Sequence, residues 1–361
     1  MTTPCMHNSQ RGAATLLVTL VLFLALALVV LGLHRALSIE QRGATQRVRA
    51  TQAFEAAEAG LAWMQSRLNS VHRIGPDCAP SSDANATTFR ERYLAIDRAT
   101  GAVAPSTAQP GCVRGASGWA CSCPVSGAAA LSAPGGTEFA PAFTLSLQSA
   151  ARAGAVRIVA NGCTSVAGTC AAGGAGSTNA SVADGSARTE VTLGLFAGLR
   201  GAPTAAVTAR AAAETPEQFF AARFGIDAPT WRGQSVVARI ACTADCGDAL
   251  RDAVEAGHAL LWIDGDLALT APLPLGTSAH PVLIAASGAV RLSGGVTVVG
   301  VVHGASVALV GATVRGAVLS ADGDAGAAAA GAVFDADVVS ALTRQTGSFV
   351  RVNGSWRDFL P

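Results

Sequence analysis

From Ala13 to Leu33 the chain carries no charged side chain, and nearly every position is Leu, Val, Ala or Phe. At 1.5 Å per residue this run of about 21 residues reaches about 30 Å, the thickness of a bilayer's hydrocarbon core. A cleaved secretory signal would show a shorter apolar stretch, about 7 to 15 residues, closed by a small-x-small site. Here the run passes directly into His34-Arg35, which favours a retained anchor. Beyond it Phe54, Ala57, Leu61, Met64 and Leu68 recur at intervals of three and four, while Gln52, Glu55, Glu58, Gln65 and Arg67 lie between them. That spacing draws one apolar stripe on a helix. No proline interrupts Ala13 to Ile74, so a single helix to about Leu68 would run roughly 80 Å. Gly32, Gly43 and Gly60 are the points where it would bend or fray, each costing about 1 kcal/mol relative to alanine.

The pattern then changes. From Gly75 to about Gly136 the chain is rich in Pro, Ser, Gly and Cys and, apart from Phe89 to Ile96, poor in apolar runs, which reads as an irregular connection stapled by disulfides. Phe143-Thr-Leu-Ser-Leu, Val156-Arg-Ile-Val and Thr189-Glu-Val-Thr-Leu-Gly-Leu alternate as half-buried strands do. They predict an antiparallel sheet against the helix stripe, an α+β head ending near Leu199, with a long Gly/Ala/Ser loop from Asn161 to Ser186. Thr215-Pro216 predicts the cap and first position of a short helix.

Farther on, short apolar strands recur at Leu260–Ile263, Leu267–Leu269, Val282–Ala285, Val290–Leu292, Val296–Val302, Val307–Val310 and Val314–Leu319. Leu292-Ser-Gly-Gly against Leu309-Val-Gly-Ala, and Gly300-Val-Val against Gly316-Ala-Val, suggest a period of about 16 to 17 residues, the length of one rung of a parallel β-solenoid. A Greek-key sandwich is the alternative. The fold class expected is thus α+β: a long N-terminal transmembrane and amphipathic helix (13–70, span 13–33), a disulfide-rich antiparallel head (71–200) and a C-terminal β-rich region (201–361), after a leader of residues 1–12.

Composition narrows the function. Charged residues are 14% of the 361 and the net charge is +1, with no basic cluster interleaved with aromatics, so a nucleic-acid partner is not expected. Cys5 precedes the apolar run and Cys78, Cys112, Cys121, Cys123, Cys163, Cys170, Cys242 and Cys246 follow it. An even set beyond a membrane segment points to disulfides formed after export. Cys163/Cys170 and Cys242/Cys246 are natural pairs for small clipped loops, and Cys121-Ser-Cys123 is a weak redox motif. The other pairings are open. Arg35, Arg42, Arg47 and Arg49 follow the span and only Arg11 closely precedes it, which by the positive-inside rule alone would keep the head in the cytoplasm. The downstream cysteines argue the other way.

No catalytic constellation stands out. His7, His34, His72, His258, His280 and His303 are scattered without HExxH spacing, and there is no Walker A or GxSxG sequence. Asp264/Asp266 and Asp322/Asp324 flank glycines as turn residues do, without the remaining oxygen ligands of a calcium loop. No enzyme activity, cofactor or metal site is expected.

Gln10-Arg11-Gly12, then Ala13-Ala14-Thr15-Leu16-Leu17, then Gln52-Ala-Phe54-Glu55-Ala-Ala-Glu58-Ala-Gly-Leu61 resembles the N-terminal region of PilX-type minor pilins of the type IV pilus machinery. The likeness covers about the first 70 residues, and Gly354-Ser-Trp-Arg-Asp-Phe is similar to the family's ending; on physical grounds Trp356 and Phe359 there are expected to cap the open end of a strand stack. The resemblance implies peptidase cleavage between Gly12 and Ala13, methylation of Ala13, and an assembly helix that includes Leu17, Phe54, Glu55, Glu58 and Leu61. It also supports export. Most major pilins carry glutamate at the fifth mature position, where this chain has Leu17; a carboxylate in an apolar filament core needs a partner, and its absence suits a tip or priming subunit. The implied partners are the inner membrane, other minor pilins, the assembly platform and a large tip adhesin, with residence first in the inner membrane, head periplasmic, and then at the pilus tip. Two other readings are a type II secretion minor pseudopilin and an anchored, exported glycan-binding domain.

Overall fold

A computed structural model describes residues 11–83, 85–133, 135, 140–166, 185–242, 246–324 and 326–358, the side chains of 11–14 excepted. Helix α1, Arg11–Leu68, is unbroken through Gly32, Gly43 and Gly60. Its apolar first part is fully exposed, with Leu17 at 65% and Phe23 at 79%, and it is long and apolar enough to cross a membrane. Only from about Ala53 does the helix become buried. Ala53, Ala57, Leu61, Met64 and Leu68 are each at most 1% exposed. Burial of such Leu and Met side chains is worth about 1.5–3 kcal/mol each.

The stretch expected to be irregular is more ordered than its composition suggests. Thr88 caps α2, Phe89–Tyr93, through a capping box with Glu91, and α2 runs into the hairpin of β1 (Leu94–Ile96) and β2 (Val103–Pro105). A second hairpin, β3 (Gly111–Gly115) and β4 (Gly118–Ser122), is closed by Cys112–Cys121. These strands escape pattern reading because a disulfide and backbone pairing hold them, not apolar alternation. The three expected strands follow as β5 (Ala142–Ser149), β6 (Ala155–Cys163) and β7 (Ser186–Ala197), antiparallel and in register Thr144↔Asn161 and Ile158↔Val191. They lie under α1.

After β8 (Val207–Ala209), helix α3 (Pro216–Phe224) begins at the Thr215 cap and Pro216, as expected, and α4 (Ala228–Arg232) at an Asp227 cap. Next come β9 (Val237–Ile240), α5 (Gly247–Glu255), β10 (Leu260–Ile263), β11 (Leu267–Leu269), β12 (Pro274–Leu275), β13 (Val282–Ala286), β14 (Val290–Ser293), β15 (Thr297–Gly304), β16 (Val307–Val310) and β17 (Thr313–Ser320). Every pairing among these strands is parallel, whereas a Greek key is antiparallel. One sheet has the order β17-β15-β13-β10-β9, and a three-stranded sheet the order β11-β14-β16. Thr297 pairs with Thr313 in the first sheet while Val290 pairs with Val307 in the second, so both advance together along the chain. Their facing sides enclose Leu261, Ile284, Val302, Val318, Leu292 and Leu309. The large sheet's other side carries Trp262, Leu283, Val301 and Leu319 against Phe219, Phe224 and Trp231 of α3 and α4. Burial on both faces explains why Leu260–Ile263 and Val282–Ala286 read as continuous apolar runs.

Short α6 (Gly326–Ala329) and β18 (Ala332–Phe334) end this stack, and α7 (Ala336–Arg344) lays Val339 and Leu342 on its aromatic side. The chain then departs from the expectation of a C-terminal region running from 201 to 361. Strand β19, Gly347–Arg351, leaves the parallel stack and pairs antiparallel with β7, Gly347↔Ala197 through Arg351↔Leu193. The head sheet thus has the order β19-β7-β6-β5-β3-β4, built from both ends of the chain. Trp356, expected to cap an open strand stack, lies instead on α1; Phe359 lies outside the described residues. An indole with one wet edge finds a better seat beside the polar flank of the helix than on the stack, whose end α6 already covers.

Candidate functional site: the long helix and its seat

The feature that joins the expected residues is the seat of α1 on the head. Two glycines set how close the helix comes. A methyl group on Gly60 would lie 3.0 Å from the Phe143 ring, and one on Gly162 of β6 would be driven into the Ala53 carbonyl and to 3.0 Å from the Ala57 side chain. With no Cβ at these two points the helix backbone rests directly on the strand. Of the residues expected to belong to an assembly helix, Leu61 is buried at 1%, Glu55 is exposed, and Phe54 and Glu58 are half-buried. The last two receive the chain's C-terminal segment. Trp356 packs edge-on against Phe54 at 6.4 Å and donates its indole N–H to Glu58 at 2.8 Å.

At the far end of α1 a second set of contacts ties helix, α2 and β19 together. Arg90 of α2 donates to the Leu68 carbonyl at 2.8 and 3.0 Å, to Gly347 at 2.8 Å and to Gln345 at 3.4 Å, and its guanidinium lies over the Phe349 ring at 5.1 Å. Loss of water around it pulls its pKa down to about 10, so it stays charged at neutral pH. A cation on the last carbonyls of a helix also meets the negative end of the helix dipole. Asn69 completes the fastening as a strand would: its Nδ2 donates to the Phe349 carbonyl at 2.9 Å and its Oδ1 accepts from the Phe349 N–H at 2.6 Å. Sequence reading missed Arg90, Asn69 and Gly162. The only legible signal was the Thr88-x-x-Glu91 capping box, which marks the helix that aims Arg90.

The cysteines staple the ground beneath this seat. Cys78 bonds to Cys123 and Cys112 to Cys121, so Cys121 and Cys123 go to different partners and do not form a redox pair with each other. Arg92 donates to the carbonyls of Ile74, Gly75 and Cys123, and Tyr93 to that of Pro124, holding the stapled loops to α2. Cys242 bonds to Cys246 at the start of α5. Cys163 is disulfide-bonded, while Cys170 lies outside the described residues. Gly12 and Ala13 stand in the first turn of α1, and residues 1–10 lie outside the described residues.

Elsewhere polar groups serve turns and cores. Asp264 accepts from Arg232, Arg239 and Trp262 at 2.8 Å each, and Asp322 accepts from Ser320 and the Asp324 N–H. Among the described residues no three His, Cys, Asp or Glu side chains gather as metal ligands. His303 sits among Phe219, Phe220 and Phe224, 5% exposed, its Nδ1 without a hydrogen-bond partner. Burial lowers its pKa to about 4, below an unfolded value of about 6.5. The neutral form therefore favours folding above pH 6.5, and that stability drains away as pH falls toward 4. Between pH 7.5 and 5 the loss should be about 2 kcal/mol. Urea unfolding of wild type and His303→Leu at the two pH values checks this, with the variant showing a clearly flatter response; His258, also lowered by burial, leaves a remainder.

Residues 11–62 match the family model described as PilX N-terminal. No curated protein and no solved structure matches the chain. The matched segment covers the apolar run of α1 and most of the part seated on the head, including Phe54, Glu55, Glu58 and Leu61. Over residues 11–62, about the first sixth of its length, the chain is similar to the PilX N-terminal family.

Proposed function

We propose that the protein is a minor pilin of the type IV pilus machinery that helps to initiate assembly and stands at or near the filament tip. The observation that carries this reading is the division of α1 into an exposed apolar rod and a seated amphipathic half, within the segment that matches the family. The rod is exposed at every position from Leu16 to Leu37, over roughly 30 Å. In a bilayer it would pack laterally on sister helices, where Ala25, Ala27 and Gly32 permit close approach. Leu17 supports a terminal position, since the rod offers no carboxylate there to draw it beneath another subunit. The head is then periplasmic before assembly, and the parallel stack, which we read as a β-solenoid, is presented to other minor pilins or a tip adhesin. No enzymatic step and no cofactor enter this function.

Deletion of the gene in its own host tests the reading: surface filaments should fall at least tenfold and return with the wild-type gene. Normal filaments with a loss of secreted enzymes would favour the pseudopilin alternative. A Leu17→Glu substitution should not raise filament number, because a terminal subunit gains nothing from the pairing carboxylate. A rise in filament number or in the protein's copy number along the shaft, read by quantitative mass spectrometry of sheared pili, would contradict the tip assignment.

A further inference from the structure

The chain leaves the head sheet at the end of β7 and re-enters it at the start of β19, and these two points are hydrogen-bonded neighbours. Ala197 pairs with Gly347, and the Gly198 N–H donates to the Thr346 carbonyl at 2.9 Å. Everything from Leu199 to Gln345 therefore occupies the place of a hairpin turn. The apolar cores divide at the same point. The core under α1 draws on Ala57 to Leu195 and then Phe349, with no residue of 199–345. The cores of the parallel stack draw only on Leu199 to Leu342. Contacts across the boundary are mainly polar: Trp231 donates to the Gly198 carbonyl, Ser348 to Gln234, Ser340 and Arg344 to the Arg98 carbonyl, Gln345 to that of Ile96, and Arg90 and Arg98 to Gln345, while the Arg200 guanidinium lies over the Phe196 ring.

We infer that residues 199–345 are a separate domain inserted into the last hairpin of the pilin-like head, and that it folds and unfolds independently of the head. Cooperative unfolding follows shared apolar packing, and here no apolar cluster is shared. The disulfides respect the same line: Cys78–Cys123 and Cys112–Cys121 lie in the head, and Cys242–Cys246 closes on itself within the insert. A functional consequence, which rests on the pilus reading above, is that the insert is the presenting part and can change its surface without altering the helix seat that assembly needs.

The test uses the full chain in detergent and does not depend on any pilus. Scanning calorimetry should show two transitions. Ile284→Val, in the insert's core, should lower one of them by a few degrees and leave the other in place, and Ile158→Val, in the head's core, should do the reverse. Amide hydrogen exchange of the wild type provides a reading without variants: slow amides of β5–β7 and of β13–β17 should fall into two groups with different opening rates in denaturant. A single transition moved by both substitutions, or one common exchange isotherm, would overturn the inference whatever the fate of the pilin assignment.

Discussion

Arg90→Met should weaken the head by about 3 kcal/mol and release β19 before the rest of the sheet opens. The guanidinium reaches three carbonyls on two chain segments that lie far apart in sequence: Leu68 at the end of α1, and Gln345 and Gly347 where the chain returns from the insert. Each acceptor left without a partner costs about 1–3 kcal/mol, and the relief from no longer burying a charge offsets part of the sum. Methionine keeps apolar bulk near Phe349 but supplies no donor. Arg90→Lys should fall between the two, since one ammonium cannot span both segments. Denaturant unfolding with exchange at Phe349 and Val350 measures both effects; a loss under about 1 kcal/mol, with β19 still protected, would show that Asn69 alone secures the strand.

Gly162→Val should unseat α1. On the other side of that glycine stands helix backbone, the Ala53 carbonyl and the Ala57 nitrogen, not a side chain that could turn away. Overpacking a core costs about 1–3 kcal/mol where neighbours can yield, and here the whole helix must lift, so the loss should reach or exceed the upper figure. Lifting the helix also removes Leu61, Met64 and Leu68 from their pockets. The expected result is a head that keeps its disulfides but exposes the helix: trypsin should cut after Arg67, the one basic residue between Gln52 and Leu68, at least tenfold faster, and dye binding to exposed apolar surface should rise. Gly60→Ala should act more mildly, since its methyl meets the edge of the Phe143 ring, which has some freedom to shift. Equal protease resistance in Gly162→Val and wild type would contradict the seat as described.

The helix and the parallel strands were legible because period and burial coincide there. Leu61, Met64 and Leu68 repeat every three or four residues and face one sheet, and Val290 to Val318 lie in strands whose inner faces are continuously apolar. What pattern reading missed is long-range or sterically set. Gly162 carries no apolar signal, yet decides how close helix and sheet approach. Arg90 and Asn69 act through carbonyls at Leu68 and Phe349, partners that no local window contains. The return of Gly347–Arg351 to the head was hidden because the strand is short and its register depends on a sheet formed more than a hundred residues earlier. For the same reason Trp356 read as a cap for the nearest strands, when the fold carries it to Glu58.

The claim on which the account turns is that α1 is a processed pilin-type helix. Mass spectrometry of the mature N-terminus, taken from membranes with the prepilin peptidase present and then absent, tests it directly. A peptidase-dependent start at Ala13, with or without a methyl group, is expected, together with accumulation of the uncut chain when the peptidase is missing. A mature protein that begins elsewhere, or that begins at Met1 in both strains, would contradict it and leave an anchored export protein that borrows the helix without entering a filament.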